Sequence, residues 1–231
     1  MSPNRRRQPD ADFVERVMEQ FVAEFPEAVV IGGWATFLRT RTAKSHDIDV
    51  IVDHATLSQL RSKYQLAPSR HVSGKKFEIV LDGVEVDIYP VYQSTLGRRL
   101  HVPVEALITH TERIGHAKVL SAEAQFVAKM AALLDRPDSL PGEKDRHELW
   151  ALANSIEPLD FGIVAAVLEG SGWDAVQRKG LLEETFGLLD ETPGLTKADR
   201  ARLRRHRSLA LAAGVARGER AASEREMDLE P

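Results

Sequence analysis

Apolar residues along the first ninety positions follow two different spacings, which together predict an alternation of helices and strands. A spacing of three to four residues is typical of one face of a helix, and a short continuous apolar run is typical of a buried strand. Helices are predicted in this way at 10–25, 34–41 and 54–66, and strands at 28–31, 47–53, 76–81 and 84–89. Asp82-Gly83 separates the last two strands and predicts a tight hairpin turn.

The second half of the chain has the helical spacing almost throughout. Helices are predicted at 121–136, 142–156, 159–170, 173–190 and 196–218. Polar and charged residues at 1–9 and at about 219–231 predict flexible ends. The pattern therefore predicts an α+β protein, with a mixed sheet and flanking helices in residues 1–120 and a helical domain in residues 121–231.

Composition narrows the possible functions only a little. The chain has 231 residues, a formal net charge of −4 and no cysteine, which excludes disulfides, thiol nucleophiles and cysteine-bound zinc. No stretch approaches the roughly 18 apolar residues of a membrane-spanning helix, so we expect a cytoplasmic protein without a membrane partner. The net charge does not favour a nucleic-acid binder, although a local basic face is compatible with it.

Two aspartates, Asp47 and Asp49, interrupt the apolar strand "DIDVIVD". Residues two apart on a strand point to the same face, so the two carboxylates should repel each other unless a cation lies between them. Mg²⁺ binds through one or two carboxylates together with substrate phosphates, and would satisfy such a pair. The alternative is an edge strand with a solvated face, which is less favoured because aspartate is uncommon in strands.

Two further features complete a candidate site. Gly32-Gly33 lies between a predicted strand and a predicted helix, where glycine allows either a tight turn or the close approach of a phosphate to the helix start. Asp87 lies on the strand 84–89, where it would supply a third carboxylate as metal ligand or base. Glu85 shares its face of the strand and competes for that role; Asp87 is preferred because it is nearer the end of the strand.

These pieces, "VVIGG", "WATFLRTRTAKSH", "DIDV" and "VEVDIYP", resemble the nucleotidyltransferase (DNA polymerase β-like) superfamily. The resemblance covers about residues 27–90 and implies the nucleotidyltransferase fold for the N-terminal half. It also implies Mg²⁺ as cofactor, held by Asp47, Asp49 and Asp87, and a nucleoside triphosphate as substrate.

A narrower resemblance is to the AbiEii/MenT-type toxin nucleotidyltransferases. It is carried by "IGGWATFLRTRTAKSHDIDVIV", where Ala35, Lys44 and Ser45 fit the motif, and by "VAKMAALLDRP" and "GEKDRHELWAL" in the second half. The chain departs from the usual motif at Thr36, at Lys44 and at Glu148. Implied nucleotide-binding residues are Gly32, Gly33, Lys44, Ser45, Lys129 and Arg136, and Lys129 and Asp145 join the three aspartates as catalytic residues.

The residues of the second half also have simpler interpretations. Lys129 flanks an apolar stripe and is by default a solvated lysine, Asp145 is close enough to a helix start to be a cap, and Arg136 is close enough to a helix end to be a favourable charge there. Their site roles are implied by the resemblance.

The narrower resemblance implies transfer of a nucleoside monophosphate to RNA, at the 3′ end of tRNA, by a toxin that has a partner antitoxin. Transfer to a small molecule such as an aminoglycoside, or to a protein, is the alternative, and a non-catalytic nucleotide-binding module is a third. A basic groove formed by Arg39, Arg41, Lys44 and segment 197–207 near Asp47 would favour RNA, whereas an acidic second pocket would favour a cationic small molecule.

Overall fold

The computed structural model describes residues 9–69, 75–155 and 158–227, with the side chains of the last helix described through Gly214. The helices are α1 Ala11–Glu24, α2 Gly32–Thr40, α3 His54–Lys63, α4 Val104–Ile108, α5 Ala122–Asp135, α6 Leu140–Ala153, α7 Phe161–Gly170, α8 Ala175–Asp190 and α9 Lys197–Met227. The strands are β1 Val29–Ile31, β2 Ile48–Val52, β3 Ala67–Pro68, β4 Phe77–Leu81, β5 Val84–Pro90, β6 Thr95–Leu96, β7 Val102–Pro103, β8 Thr111–Ile114 and β9 Ala117–Leu120.

Seven of these strands form one mixed sheet in the order β3-β4-β5-β2-β1-β9-β8. β2 is parallel to β5 and antiparallel to β1, and β1 is parallel to β9. The hairpins β4–β5 and β8–β9 are antiparallel and extend the sheet on either side of its centre. β2 and β5, which carry the aspartates singled out in the sequence, therefore lie next to each other in the sheet.

Each face of the sheet is covered by its own apolar core, because successive residues on a strand point to opposite faces. Val30, Val50 and Ile88 pack on one face with α1, α2 and α3. Ile31 and Ile51, together with other strand residues, pack on the opposite face with helices α5 to α9. The helical half thus shares a core with the sheet, and its separation at residue 120 into a domain of its own stays a prediction.

The predicted α+β class, with a mixed sheet and flanking helices, is confirmed. The hairpin turn is confirmed as well, since Asp82 and Gly83 both have positive φ, at 51° and 86°. Such a turn places both central residues in the left-handed region, which glycine and aspartate tolerate better than most residues.

The structure differs from the predicted elements at several places. α2 begins at Gly32 rather than at Trp34, and α9 continues to Met227 rather than ending at residue 218. No element was predicted for 91–120, where the structure has β6, β7, α4, β8 and β9. Of the predicted flexible ends at 1–9 and about 219–231, residues 1–8 and 228–231 lie outside the described residues, and 219–227 are the last part of α9. In the described part of the chain, no helix is both long and apolar enough to cross a membrane.

Candidate active site

The register of the two central parallel strands brings two aspartates together. Asp49 on β2 is the direct partner of Asp87 on β5, and both side chains are half-buried. Asp47 is exposed and precedes β2 by one residue instead of lying on the strand as predicted; it accepts a hydrogen bond of 2.5 Å from the Ser45 hydroxyl, which stabilises a bend there. Glu85, the competing carboxylate, is exposed and lies before Val86, where the pairing of β5 with β2 begins. Asp87 is therefore the residue beside Asp49.

The pKa of Asp49 departs further from its ordinary value than the pKa of Asp87 does. Burial, together with the negative charges of Asp47 and Asp87, raises the pKa of Asp49 from the ordinary 3.8 to about 7. The Tyr89 hydroxyl donates a hydrogen bond of 3.3 Å to Asp49 Oδ1. Negative charge is therefore crowded at Asp49, and a cation bound there would favour its ionised form.

Lys76, which the sequence analysis did not single out, lies against the third aspartate. Its ammonium group forms an ion pair with Asp87 and lies 3.6 Å from Glu78 Oε1. Burial raises the pKa of Asp87, although the hydrogen bond and charge of Lys76 act in the opposite direction. A signal for this contact exists in the sequence, because the Asp82-Gly83 turn sets a register that pairs Glu78 with Asp87.

The glycine pair lies against these side chains. Gly32 has φ +66°, and a Cβ atom at that position would be 2.3 Å from Asp49 Oδ2. A Cβ at Gly33 would be 2.8 Å from the Ser45 side chain, whose hydroxyl accepts a hydrogen bond of 3.3 Å from Lys144 Nζ. Both positions therefore require glycine, because the start of α2 approaches Asp49 and Ser45 more closely than any side chain allows.

A charged network from α5 and α6 faces the aspartates. The buried Lys129 ammonium is 3.1 Å from Asp145 Oδ1 and forms a second ion pair with Glu148. Arg136 Nε donates a hydrogen bond of 2.8 Å to Asp145 Oδ2, and Lys144 Nζ is 3.7 Å from Glu148 Oε1. Although burial lowers it, the pKa of Lys129 is raised overall by the charges of Glu148 and Asp145.

This network excludes two of the simpler interpretations. Lys129 is only 7% exposed, so it is not a solvated surface lysine. The cap of α6 is Ser139, whose side chain accepts a hydrogen bond from the Gly142 backbone, so Asp145 is not the cap. Arg136 does lie at the end of α5, but its guanidinium group is also bound to Asp145.

Two adjoining cavities open between the sheet and these helices, with volumes of about 440 and 600 Å³. Asp49, Lys129 and Arg136 line both of them. The smaller cavity has further walls formed by Ile31, Gly32, Tyr89, Leu96, Gly97, Arg98, Gln125, Ala128, Ala132 and Asp135. The larger cavity is lined by Gly33, Ser45, Asp47, Glu85, Lys144 and Asp145, among others. Volumes of this size suit a small ligand such as a nucleotide.

The structure brings most of the predicted site residues together in this region, namely Gly32, Gly33, Ser45, Asp47, Asp49, Asp87, Lys129, Arg136 and Asp145. Lys44 is the exception. Its ammonium group contacts Asp12 at 2.5 Å and Glu15 at 2.6 Å, both on α1, and it lines neither cavity. The acidic side chains of α1 therefore hold the Lys44 ammonium group away from the cavities, and the contact of Lys44 with phosphate stays a prediction.

Two of the residues named for a basic groove, Lys44 and Arg39, are engaged by other groups and do not line the cavities. Lys44 is held by α1, and Arg39 forms an ion pair with Glu112 and donates a hydrogen bond to the Leu120 carbonyl. Positive charge at the cavities comes instead from Lys129, Arg136, Lys144 and, at the smaller cavity, Arg98.

The side chains at Asp49 fit a hard divalent cation. The carboxylate oxygens of Asp47 and Asp49 are ligands of the type that Mg²⁺ prefers, and the pKa of Asp49 is raised first by burial and then by the charges of Asp47 and Asp87. Within the described residues, no group of three or more histidine, aspartate or glutamate side chains is arranged to hold a metal ion. A cation at Asp47 and Asp49 would therefore take further oxygen ligands from a substrate or from water.

No family model and no curated protein matches the chain. An antigenic nucleotidyltransferase-like protein from Paracoccidioides brasiliensis has a similar solved structure, with 16% identity, 76% of this chain and 91% of that chain covered, and a TM-score of 0.39. The structure of JHP933 from Helicobacter pylori is similar with 13% identity, 95% and 98% coverage, and a TM-score of 0.43. Similarities this distant leave the chemistry of the site to be inferred from its own residues.

Proposed function

We propose that the chain is a Mg²⁺-dependent nucleotidyltransferase, which moves a nucleoside monophosphate from a nucleoside triphosphate to an acceptor hydroxyl. The observation that carries this proposal is the pairing of Asp49 with Asp87 on neighbouring parallel strands, next to Gly32 and with Asp47 two residues away. Carboxylates that crowd together beside a glycine pair are better explained by binding of a highly charged ligand with its metal ion than by a purely structural role.

The chain's own residues have separable roles in this proposal. Asp47 and Asp49 would hold Mg²⁺, with one Asp87 oxygen as a further ligand, and the ion would supply positive charge to the triphosphate. Ser45 and Lys144, already linked by a hydrogen bond, would contact the phosphates at the start of α2. Lys129 and Arg136, held in place by Asp145, would add fixed positive charge. Phosphoryl-type transfer depends mainly on such positioning and electrostatics.

Asp87 is the candidate base. Its pKa lies above the ordinary aspartate value because it is buried, which favours accepting a proton from the acceptor hydroxyl. The acceptor oxygen would then form a bond to the α-phosphorus, the bond from that phosphorus to the bridging oxygen would break, and pyrophosphate would leave.

RNA, at the 3′ end of tRNA, is the proposed acceptor, and growth arrest relieved by an antitoxin is the proposed biological role. The support for both is the motif resemblance of residues 31–52 and 127–152. The purified chain, incubated with Mg²⁺, tRNA and each labelled nucleoside triphosphate, should label the tRNA. In cells, its expression should arrest growth, and Asp49→Ala should relieve the arrest. Unlabelled tRNA and normal growth would contradict this acceptor and role.

The larger cavity supports a second acceptor class. Asp47 and Glu85 line it, and Glu85 forms no ion pair among the described residues, whereas the charge of Asp145 is balanced by Lys129 and Arg136. Carboxylates at a cavity wall favour a cationic acceptor such as an aminoglycoside. Label transferred to an aminoglycoside but not to tRNA, with the same dependence on Asp49, would establish this alternative.

A further inference from the structure

Lys76, the residue before β4, is more buried than is usual for a lysine. Only 10% of its side chain is exposed, and its ammonium group is paired with Asp87. Glu78 Oε1 lies 3.6 Å away, and the ring centroid of Tyr89 lies 5.6 Å from Lys76 Nζ. A lysine held by two carboxylates and an aromatic ring is fixed in position and is not a mobile surface group.

The partner of Lys76 is the residue that the proposed chemistry needs. Asp87 is the strand partner of Asp49. The Tyr89 hydroxyl donates a hydrogen bond to Asp49, and the Tyr89 ring lies under the Lys76 ammonium group. The positive charge of Lys76 therefore balances one carboxylate of a crowded acidic group. A divalent cation that used an Asp87 oxygen would have to approach the same oxygens and would meet a like charge there.

We infer that Lys76 and a divalent cation compete for Asp87, so that Lys76 sets the metal affinity of the site. In the metal-free protein the ammonium group holds Asp87, and in the metal-bound protein the cation takes over that charge balance. Lys76 is thus a positioning residue that acts through Asp87. This inference rests on the proposed function in one respect, which is that the divalent cation is the ion required for transfer.

Mn²⁺ is a suitable probe, because the signal of the free ion in electron paramagnetic resonance gives the bound fraction without any assay of activity. Lys76→Gln should bind Mn²⁺ about tenfold more tightly than the unchanged chain, which is within the usual range of coupling between two bound groups. Lys75→Gln is the matched control. Lys75 is the exposed neighbouring residue, so its replacement removes the same charge without touching Asp87, and its affinity should change less than about twofold.

A thermal melt gives a second readout. Without metal, Lys76→Gln should melt at a lower temperature than the unchanged chain, because Asp87 loses its partner. With saturating Mn²⁺ the difference should disappear, because the cation replaces the missing charge.

Asp87→Asn shows whether the effect passes through Asp87. In that background, adding Lys76→Gln should change Mn²⁺ affinity by less than about twofold, because only the weaker effect of the Lys76 charge on Asp49 remains. The double variant also removes the unpaired carboxylate if Lys76→Gln alone does not fold. Equal or weaker Mn²⁺ binding by Lys76→Gln, or no Mn²⁺ binding by any variant, would overturn the competition. Tighter Mn²⁺ binding by Lys76→Gln, together with no transfer reaction by the unchanged chain, would uphold the competition while refuting the proposed function.

Discussion

Replacing Asp49 by asparagine is expected to stabilise the metal-free protein at about pH 8, although the residue lies at the centre of the proposed site. The folded pKa of Asp49 is about 7, compared with an ordinary value of 3.8. Since a tenfold change in proton affinity corresponds to about 1.4 kcal/mol, ionising Asp49 in the folded state costs up to about 4 kcal/mol. Asparagine has nearly the same shape, carries no charge and can keep the hydrogen bond from Tyr89.

The direction of the pH dependence follows from the raised pKa. Between about pH 4 and pH 7 the folded state binds more protons at Asp49 than the unfolded state, so the unchanged chain loses stability as the pH rises. Asp49→Asn lacks this loss. The gain in its free energy of unfolding should therefore be largest above about pH 7, at about 2–4 kcal/mol, and should approach zero near pH 4.

Urea unfolding in the presence of a chelator, followed by circular dichroism at several pH values, measures this difference. Addition of Mg²⁺ should then stabilise the unchanged chain and leave Asp49→Asn unaffected, because only the first retains the ligand. An Asp49→Asn protein that is less stable than the unchanged chain at about pH 8 would show that the aspartate has a structural role. That result would refute the interpretation of the crowded carboxylates as a cation site.

Two further substitutions test the surroundings of Asp49. Gly32→Ala should reduce transfer by about 100-fold, because the added methyl group displaces the Asp49 carboxylate by an ångström or more; initial rates at saturating nucleotide measure this. Lys129→Met should lower the free energy of unfolding by about 3–5 kcal/mol, because two buried carboxylates lose their buried partner and keep only the more exposed Arg136 and Lys144. Lys179→Met, at an exposed helical ion pair, is its control and should change that free energy by less than about 1 kcal/mol.

Each substitution has an outcome that would contradict the role proposed for the group it perturbs. Full activity in Gly32→Ala would mean that the position of Asp49 is not critical for transfer. Equal effects of the two lysine substitutions in urea unfolding would mean that the α5–α6 network does not depend on its buried charge.

Much of the aspartate arrangement could be predicted because it depends on local rules. Alternation along β2 and β5 assigns Asp49 and Asp87 each to one face of its strand, although Asp47 lies one residue before β2. The Asp82-Gly83 turn sets the register of the β4–β5 hairpin. The parallel pairing of β2 with β5 joins segments far apart in sequence. It could be expected only from the motif resemblance, and the structure supplies its register.

The contacts that the sequence analysis missed depend on packing between distant elements. Lys44 is adjacent to the aspartate motif, yet α1 packs close enough to hold it away from the cavities. Thr36, an apparent departure from an apolar position, donates a hydrogen bond of 3.1 Å to the Gly32 carbonyl and accepts one of 3.0 Å from Gln125. No spacing along the chain indicates the contacts of Lys44 with α1 or of Thr36 with Gln125, because each joins elements that are far apart in the sequence.

The most direct test of the proposed chemistry follows two labels on one nucleoside triphosphate, one at the α-phosphate and one at the γ-phosphate. With Mg²⁺ and an acceptor, we expect the α label to become attached to the acceptor and the γ label to leave as pyrophosphate, and neither to occur with Asp49→Asn. Transfer of the γ label to the acceptor, release of orthophosphate alone, or the same products from Asp49→Asn would contradict a nucleotidyltransferase centred on the aspartates of β2 and β5.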